Sequence, residues 1–239
     1  MIYKTLALVL AGGEGSRVKH LLQEDEPVKP MIKVGKKRLI EIVLEEAVKV
    51  GDETAVLTYP SGLYKSLDLL SQNKGVKVLK QKAKHQKVPH ILELARIIRK
   101  QYNSQDGGYL TSFDSIMTFA SDIVFIGVDF KAMVDFHNQN LSSPNERQIT
   151  MLSKKMTGDR TYNFKVEDGR LTSVQWFSNK PAEGYQPYVS PGVYIFSRAI
   201  LKNPWAFLFG LDYNKVLIFE TSGSWIDYGK PETLTRLRK

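Results

Sequence analysis

An α/β fold with a Rossmann-like, mostly parallel central sheet and flanking helices is the class this 239-residue sequence predicts. Three observations predict it. Leu6-Ala7-Leu8-Val9-Leu10 is an unbroken apolar run of strand length, which suits a strand buried on both faces. That run passes straight into a turn with glycines at 12, 13 and 15, closed by Ser16 and Arg17. Through the first half of the chain, short apolar runs alternate with amphipathic helical patterns, as parallel strands joined by crossover helices require.

Taken in order, the patterns predict strands over 5–10, 54–59, 76–80 and 116–120. Helices are predicted near 38–50, 62–73, 88–102 and 130–140. Gly51-Asp52 ends the first helix, and Gly75 ends the second as a C-cap. Residues 103–115 are polar and carry Gly107-Gly108, so they read as a loop. From 148 the pattern turns to β structure, with a strand over 148–153. Runs at 162–166 and 171–177 flank Glu167-Asp168-Gly169, a hairpin signal. Strands over 190–196 and 215–220 and a short helix over 230–237 complete the pattern. With no internal repeat, low-complexity run or linker, residues 1–239 read as one domain. It has a first half over 1–140 and a smaller, β-rich second half over 141–239.

Composition narrows the function classes. The apolar fraction of 42% supports a sizeable core. The net charge of +9 draws polyanions such as nucleotides and sugar phosphates. The absence of cysteine excludes disulfides, thiolate catalysis and zinc-cysteine sites. No apolar run approaches membrane-spanning length, and the start, Met1-Ile2-Tyr3-Lys4, lacks the pattern of a signal peptide. A cytoplasmic protein is therefore expected. His20, His85, His90 and His137 have no metal-ligand spacing, and no Gly-x-Ser-x-Gly elbow occurs. The basic charge has no interleaved aromatic stripe or recognisable module, so nucleic acid is not an expected partner.

The turn after the first strand carries the chemistry. It leaves bare backbone N–H groups at a strand's C-terminal end, where α/β sheets bind ligands, and glycine lets a phosphate approach. Arg17 adds a cationic fork that matches phosphate oxygens. The spacing is neither a Walker A loop nor a Gly-x-Gly-x-x-Gly fingerprint. Lys29-Pro30-Met31-Ile32-Lys33-Val34-Gly35 follows about a dozen residues later, and Leu39-Ile40 then opens a helix. Trp225-Ile226-Asp227-Tyr228-Gly229-Lys230-Pro231-Glu232 lies near the other end. Together these segments resemble the sugar-phosphate nucleotidyltransferase family, also called nucleotide-sugar pyrophosphorylases. That family begins with a strand, Gly-Gly-x-Gly-Ser/Thr-Arg and a Lys-Pro segment, and carries Trp-x-Asp-x-Gly-Thr-Pro-Glu later.

The resemblance spans nearly the whole chain. It implies the nucleotide-diphospho-sugar transferase fold, as the catalytic domain alone, without the β-helix domain some relatives carry. The first half would bind the nucleotide and the second would bind the sugar and close the site. The implied reaction joins a nucleoside triphosphate to a sugar 1-phosphate, giving an NDP-sugar and pyrophosphate. A homo-oligomer is also implied, as is a magnesium cofactor.

By the same resemblance, the catalytic residues are Arg17, Lys29, Asp122 and Asp227. Asp122 and Asp227 would be the metal ligands, although aspartate also serves well as a helix N-cap. Asp122 follows the apolar run 116–120, in Ser121-Asp122 where the family usually has Gly-Asp. Lys29 would contact the triphosphate and Arg17 the leaving pyrophosphate. Nucleotide binding falls to Leu10, Ala11, Gly12, Gly13, Gly15, Ser16 and Gln81. Asn179, Lys180 and Gly192 would bind the sugar phosphate. Asn179-Lys180-Pro181 has asparagine for the family's glutamate, and Ser190-Pro191-Gly192-Val193-Tyr194 has serine for asparagine. Residues 81–90 lack the small pair that usually receives base and sugar, and the basic stretch 77–100 has Glu93 as its only acid. These departures, with Lys230 for threonine, leave a catalytically inactive regulatory or ligand-sensing relative as the alternative.

Overall fold

The computed structural model describes residues 3–11, 17–26, 28–58, 75–80, 107–143, 145–156, 162–175, 181–202 and 213–238. The helices expected over 62–73 and 88–102 lie outside them.

The apolar run near the start forms β1 (Thr5–Leu10). Its alternate residues enter two separate cores, Leu6 and Leu8 on one face and Ala7 and Val9 on the other. All four are at most 1% exposed. Truncating either leucine to alanine would cost about 2–5 kcal/mol, as for any fully buried site. A small hairpin of β2 (Lys33–Val34) and β3 (Lys37–Arg38) leads into α1 (Leu39–Val50). The Glu41 carboxylate accepts the Arg38 backbone N–H, satisfying a helix-start donor. Leu39, Ile40, Val43, Leu44 and Ala47 form the buried stripe of α1.

β4 (Glu53–Thr58) and β5 (Lys77–Lys80) extend the sheet on one side of β1, in the order β5-β4-β1 and all parallel. A short α2 (Gly107–Leu110) lies within the segment expected to be loop. On the other side of β1, β6 (Ser115–Ala120) is also parallel. β7 (Ile123–Ile126) follows at once and leaves the main sheet. α3 (Phe130–Gln139) starts at Asp129, whose carboxylate accepts the Ala132 N–H.

The second half supplies β8 (Ile149–Lys155), β9 (Tyr162–Glu167), β10 (Arg170–Gln175), β11 (Gln186–Val189) and β12 (Tyr194–Ser197). It ends with α4 (Arg198–Lys202), β13 (Val216–Glu220), β14 (Ser224–Asp227) and α5 (Pro231–Leu237). The hairpin between β9 and β10 turns on Asp168 and Gly169, with φ 49° and 74°. Both are left-handed, as a two-residue turn matching strand twist requires. The strand expected over 190–196 is displaced. Residues 190–193 form the turn between β11 and β12, where Gly192 takes φ 77°.

The ten-stranded sheet runs β11-β9-β10-β13-β8-β12-β6-β1-β4-β5, and β11 also pairs with β8. This corrects the expectation of a mostly parallel sheet. β12 enters antiparallel between β6 and β8, and β10 pairs antiparallel with both β9 and β13. The fold is α/β with a mixed sheet. Its parallel part is β5-β4-β1-β6, with β8 and β13 a second parallel pair. At β9 and β10 the reason is a two-residue connection, which reverses the chain, whereas β12 follows the turn over 190–193 and pairs antiparallel with β6 and β8 rather than with β11.

Candidate active site

The site grows from the point where β6 ends. Asp122 is the second residue after β6 and stands immediately before β7. β7 pairs antiparallel with β14, with Asp227 opposite Ile123. That register carries Tyr228 opposite Asp122, and the Tyr228 N–H donates to the Asp122 carbonyl at 2.9 Å. Two aspartates more than a hundred residues apart in sequence thus become neighbours through a two-stranded ribbon.

Gly229 closes this corner. Its N–H donates to Asp227 Oδ1 at 2.8 Å. A Cβ placed on Gly229 would overlap Asp122 Oδ2 and lie 2.9 Å from Asp227 Oδ1 and 3.1 Å from Lys29 Nζ. Two carboxylates and an ammonium therefore converge on a buried space that only glycine leaves open. Lys29 Nζ pairs with Asp122 Oδ2 at 2.5 Å, with the two side chains 15% and 13% exposed. Lys29 opens a short 3-10 turn over Lys29–Met31 whose Pro30 and Met31 are buried.

These groups face a cavity of about 620 Å³. One wall carries Arg17, Lys29, Asp122, Asp227 and Lys230. Arg17 and Lys230 are exposed and make no ion pair among the described residues. A second part of the wall carries Lys154, Ser190, Gly192 and Tyr194. Lys154 lies on β8 opposite Val189 of β11, and its ammonium donates to the Gly223 carbonyl at 2.9 Å. Ser190 Oγ accepts the Gly192 N–H at 3.2 Å, shaping the turn that faces the cavity. Trp225 of β14 adds an aromatic surface.

Of the sequence-predicted site residues, the structure brings Arg17, Lys29, Asp122, Asp227 and Gly192 to one cavity. Leu10 and Ala11 do not line it. Leu10 pairs with Ala120 and accepts the Ser121 N–H, and Ala11 donates to the Leu57 carbonyl. Gly12, Gly13, Gly15, Ser16, Gln81, Asn179 and Lys180 lie outside the described residues. Lys154 is a lining cation that the sequence reading did not single out. Its sequence signal is slight, because Ser153-Lys154-Lys155 looks like the polar end of an ordinary strand.

The donor chemistry suits a hard divalent cation. Asp122 and Asp227 offer carboxylate oxygens to the same space. Magnesium binds through one or two carboxylates and completes its shell with water and phosphate oxygens, so this pair of donors fits it.

A mixed α/β sheet thus carries a cavity lined by the cations Arg17, Lys29, Lys154 and Lys230 and by the carboxylates Asp122 and Asp227. The chain belongs to the nucleotidyl transferase family, whose model matches residues 6–238. It is 25% identical over 258 residues to a glucose-1-phosphate adenylyltransferase of Mycoplasma mobile, covering 95% of this chain and 64% of that protein. It is 27% identical over 212 residues to the enzyme of the same name from Bacillus mycoides, covering 83% of this chain and 53% of that one. The chain thus spans between about half and two thirds of the length of these curated relatives. Two solved structures share the fold. A Bacillus anthracis protein assigned as a glucose-1-phosphate thymidylyltransferase, in complex with a sucrose, superposes with a TM-score of 0.70. It is 16% identical, with 98% of this chain and 93% of that chain covered. HddC from Yersinia pseudotuberculosis, complexed with GMP-PN, gives a TM-score of 0.64 at 17% identity, with coverage of 99% and 98%.

Proposed function

We propose that this protein is a sugar-1-phosphate nucleotidyltransferase that condenses a nucleoside triphosphate with a sugar 1-phosphate. The observation that carries the reading is the convergence of Lys29, Asp122 and Asp227 on the space above Gly229, inside a cavity of about 620 Å³. Family membership and the names of the relatives support it.

In this reading an oxygen of the sugar 1-phosphate attacks the α-phosphorus of the triphosphate. The α–β phosphoanhydride bond breaks and pyrophosphate leaves on the opposite side. Both reactants are polyanions, so the work is charge neutralisation and alignment. Lys29 holds the α-phosphate and Arg17 the departing pyrophosphate. Asp122 and Asp227 would hold magnesium, which supplies further charge neutralisation on the phosphates. Gly12, Gly13, Gly15 and Ser16 would offer backbone donors to the nucleotide, with Leu10 and Ala11 behind them and Gln81 at the base. Gly192 lines the acceptor side, with Asn179 and Lys180 as further sugar-phosphate contacts. The division into a nucleotide half over 1–140 and a sugar half over 141–239 follows from these roles. Work on nucleoside triphosphates fits a cytoplasmic protein, and no helix among the described residues is long and apolar enough to cross a membrane.

The test is a pyrophosphate-release panel. Five nucleoside triphosphates are crossed with common sugar 1-phosphates, with and without magnesium. Magnesium-dependent release with a particular pair is the expected outcome. Thermal stabilisation by these ligands with no release from any pair would overturn catalysis and favour a ligand sensor.

A further inference from the structure

Lys29 reaches Asp122 from a segment that no strand of the main sheet holds. Its local backbone bonds are those of one 3-10 turn, Met31 N–H to the Val28 carbonyl and Ile32 N–H to the Lys29 carbonyl. Something else must fix where the ammonium points. Glu26, three residues earlier, is 2% exposed. Its carboxylate accepts the Lys33 N–H at 2.8 Å and the Gln23 N–H at 3.1 Å, so it fastens the segment on both flanks of Lys29. Its remaining partner is the Arg238 guanidinium.

Arg238 directly follows α5, and α5 begins two residues after Gly229. A third core of Val18, Ile32, Leu39, Tyr228 and Leu234 lies in the same region. Val18 adjoins Arg17, Ile32 ends the Lys29 turn, Tyr228 adjoins Asp227, and Leu234 belongs to α5. This small core therefore ties together the backbones that carry Arg17, Lys29 and Asp227. The Glu26–Arg238 pair spans the same elements with charge. A buried carboxylate without a cation is strongly disfavoured, so the pair should hold as a unit or not at all.

We infer that Glu26 and Arg238 are positioning residues: their ion pair, buried at its Glu26 end, holds the Lys29 segment in register with the Asp122–Asp227 corner. The inference rests on the nucleotidyl-transfer reading of Lys29. Neither side chain lines the cavity, and both act through Lys29. Misplacement of a reacting group by an ångström from a distant change can cost about a hundredfold in rate.

The test uses the full chain with Glu26→Gln, Arg238→Met and Arg238→Lys, each checked for folding by circular dichroism and thermal melting. Hydrogen exchange is read on residues 28–33, with β1 and β6 as internal references. The expected result is exchange at 28–33 faster by about tenfold in Arg238→Met, with β1 and β6 unchanged. In the same variant kcat falls about ten- to hundredfold while KM for the triphosphate stays within about threefold. Arg238→Lys, which keeps the charge, recovers most of the loss. Unchanged exchange at 28–33, exchange that rises equally everywhere, or unchanged kcat in a folded Arg238→Met protein would each overturn the inference. Should Glu26→Gln fail to fold, Arg238→Met and Arg238→Lys still decide. The exchange measurement needs no turnover, so local loosening in Arg238→Met, beside a wild-type chain that releases no pyrophosphate, would sink the catalytic reading while leaving the clasp itself intact.

Discussion

The two walls of the cavity are built on different principles. The wall of Lys29, Asp122 and Asp227 is tight: its charges are paired or close, and its corner is closed by a glycine that admits no side chain. The wall of Lys154, Ser190 and Gly192 is looser. Its lysine leans on a backbone carbonyl, its turn carries a left-handed glycine, and Met156 beside it is 51% exposed. A tight wall suits the step common to nucleotidyl transfer, and a loose one suits a varied acceptor. Breaking the first should destroy the rate, whereas altering the second should mainly change what is bound.

The largest effect is expected at Asp122. Asp122→Asn removes the Lys29 ion pair and, on the proposed reading, a charged metal donor. Pyrophosphate release should fall by about a thousandfold or more, since loss of such charge stabilisation is worth several kcal/mol. Retention of full activity would show that Asp122 is not a ligand. Gly229→Ala is next. The added Cβ would overlap the Asp122 carboxylate and push it off Lys29 and Asp227. About a hundredfold loss of kcat is expected, with a stability loss of about 1–3 kcal/mol from overpacking, read by urea denaturation. Normal kcat in this variant would mean that the corner is not tight in solution.

The Lys154 wall should answer differently. Lys154→Met removes a cation from the cavity and a bond that ties β8 to the turn before β14. KM for the sugar phosphate should rise by about tenfold, the scale of one charge-assisted hydrogen bond, with KM for the triphosphate little changed. An equal rise in both constants would erase the distinction between the walls.

The walls also differ in how far the sequence revealed them. The run Leu6–Leu10, ending in glycines, and the mostly apolar run 116–120, ending in Ser121-Asp122, read as buried strands, so β1, β6 and the exit carrying Asp122 were legible. The hairpin at Asp168-Gly169 was legible because its turn needs residues that accept positive φ. The β7–β14 ribbon was not, because its four-residue strands are only partly buried and alternate weakly. The antiparallel entry of β12 was hidden too, since a buried strand reads alike in either direction. Glu26 gave no local signal at all: its partner Arg238 is 212 positions away, and only the fold brings the two together. Lys154 is a similar case, since its bond to Gly223 spans 69 positions.

The smallest effect sharpens the comparison away from chemistry. His137 of α3 is fully buried behind the second-half strands, with Nδ1 2.8 Å from the Thr150 hydroxyl on β8. Gln148 donates to its backbone carbonyl at 2.9 Å. Burial holds the imidazole neutral and pushes its pKa from 6.5 down to about 3. The unfolded chain takes up this proton as pH falls below about 6.5, while the folded chain refuses it. The contribution to stability is therefore complete above pH 6.5 and shrinks as pH drops toward about 3. The slope is about 1.4 kcal/mol per pH unit. Between about pH 7.5 and pH 5, wild type should lose about 2 kcal/mol through this residue alone, measured by urea denaturation. His137→Gln cannot titrate, so it should start less stable at pH 7.5 yet lose about 2 kcal/mol less on acidification, which also removes the shared contributions of other groups from the comparison. Equal losses in the two proteins would mean that His137 accepts a proton in the folded state. The second-half strands would then be open to water at the level of β8, and the looseness of the Lys154 wall would extend into the core beneath it.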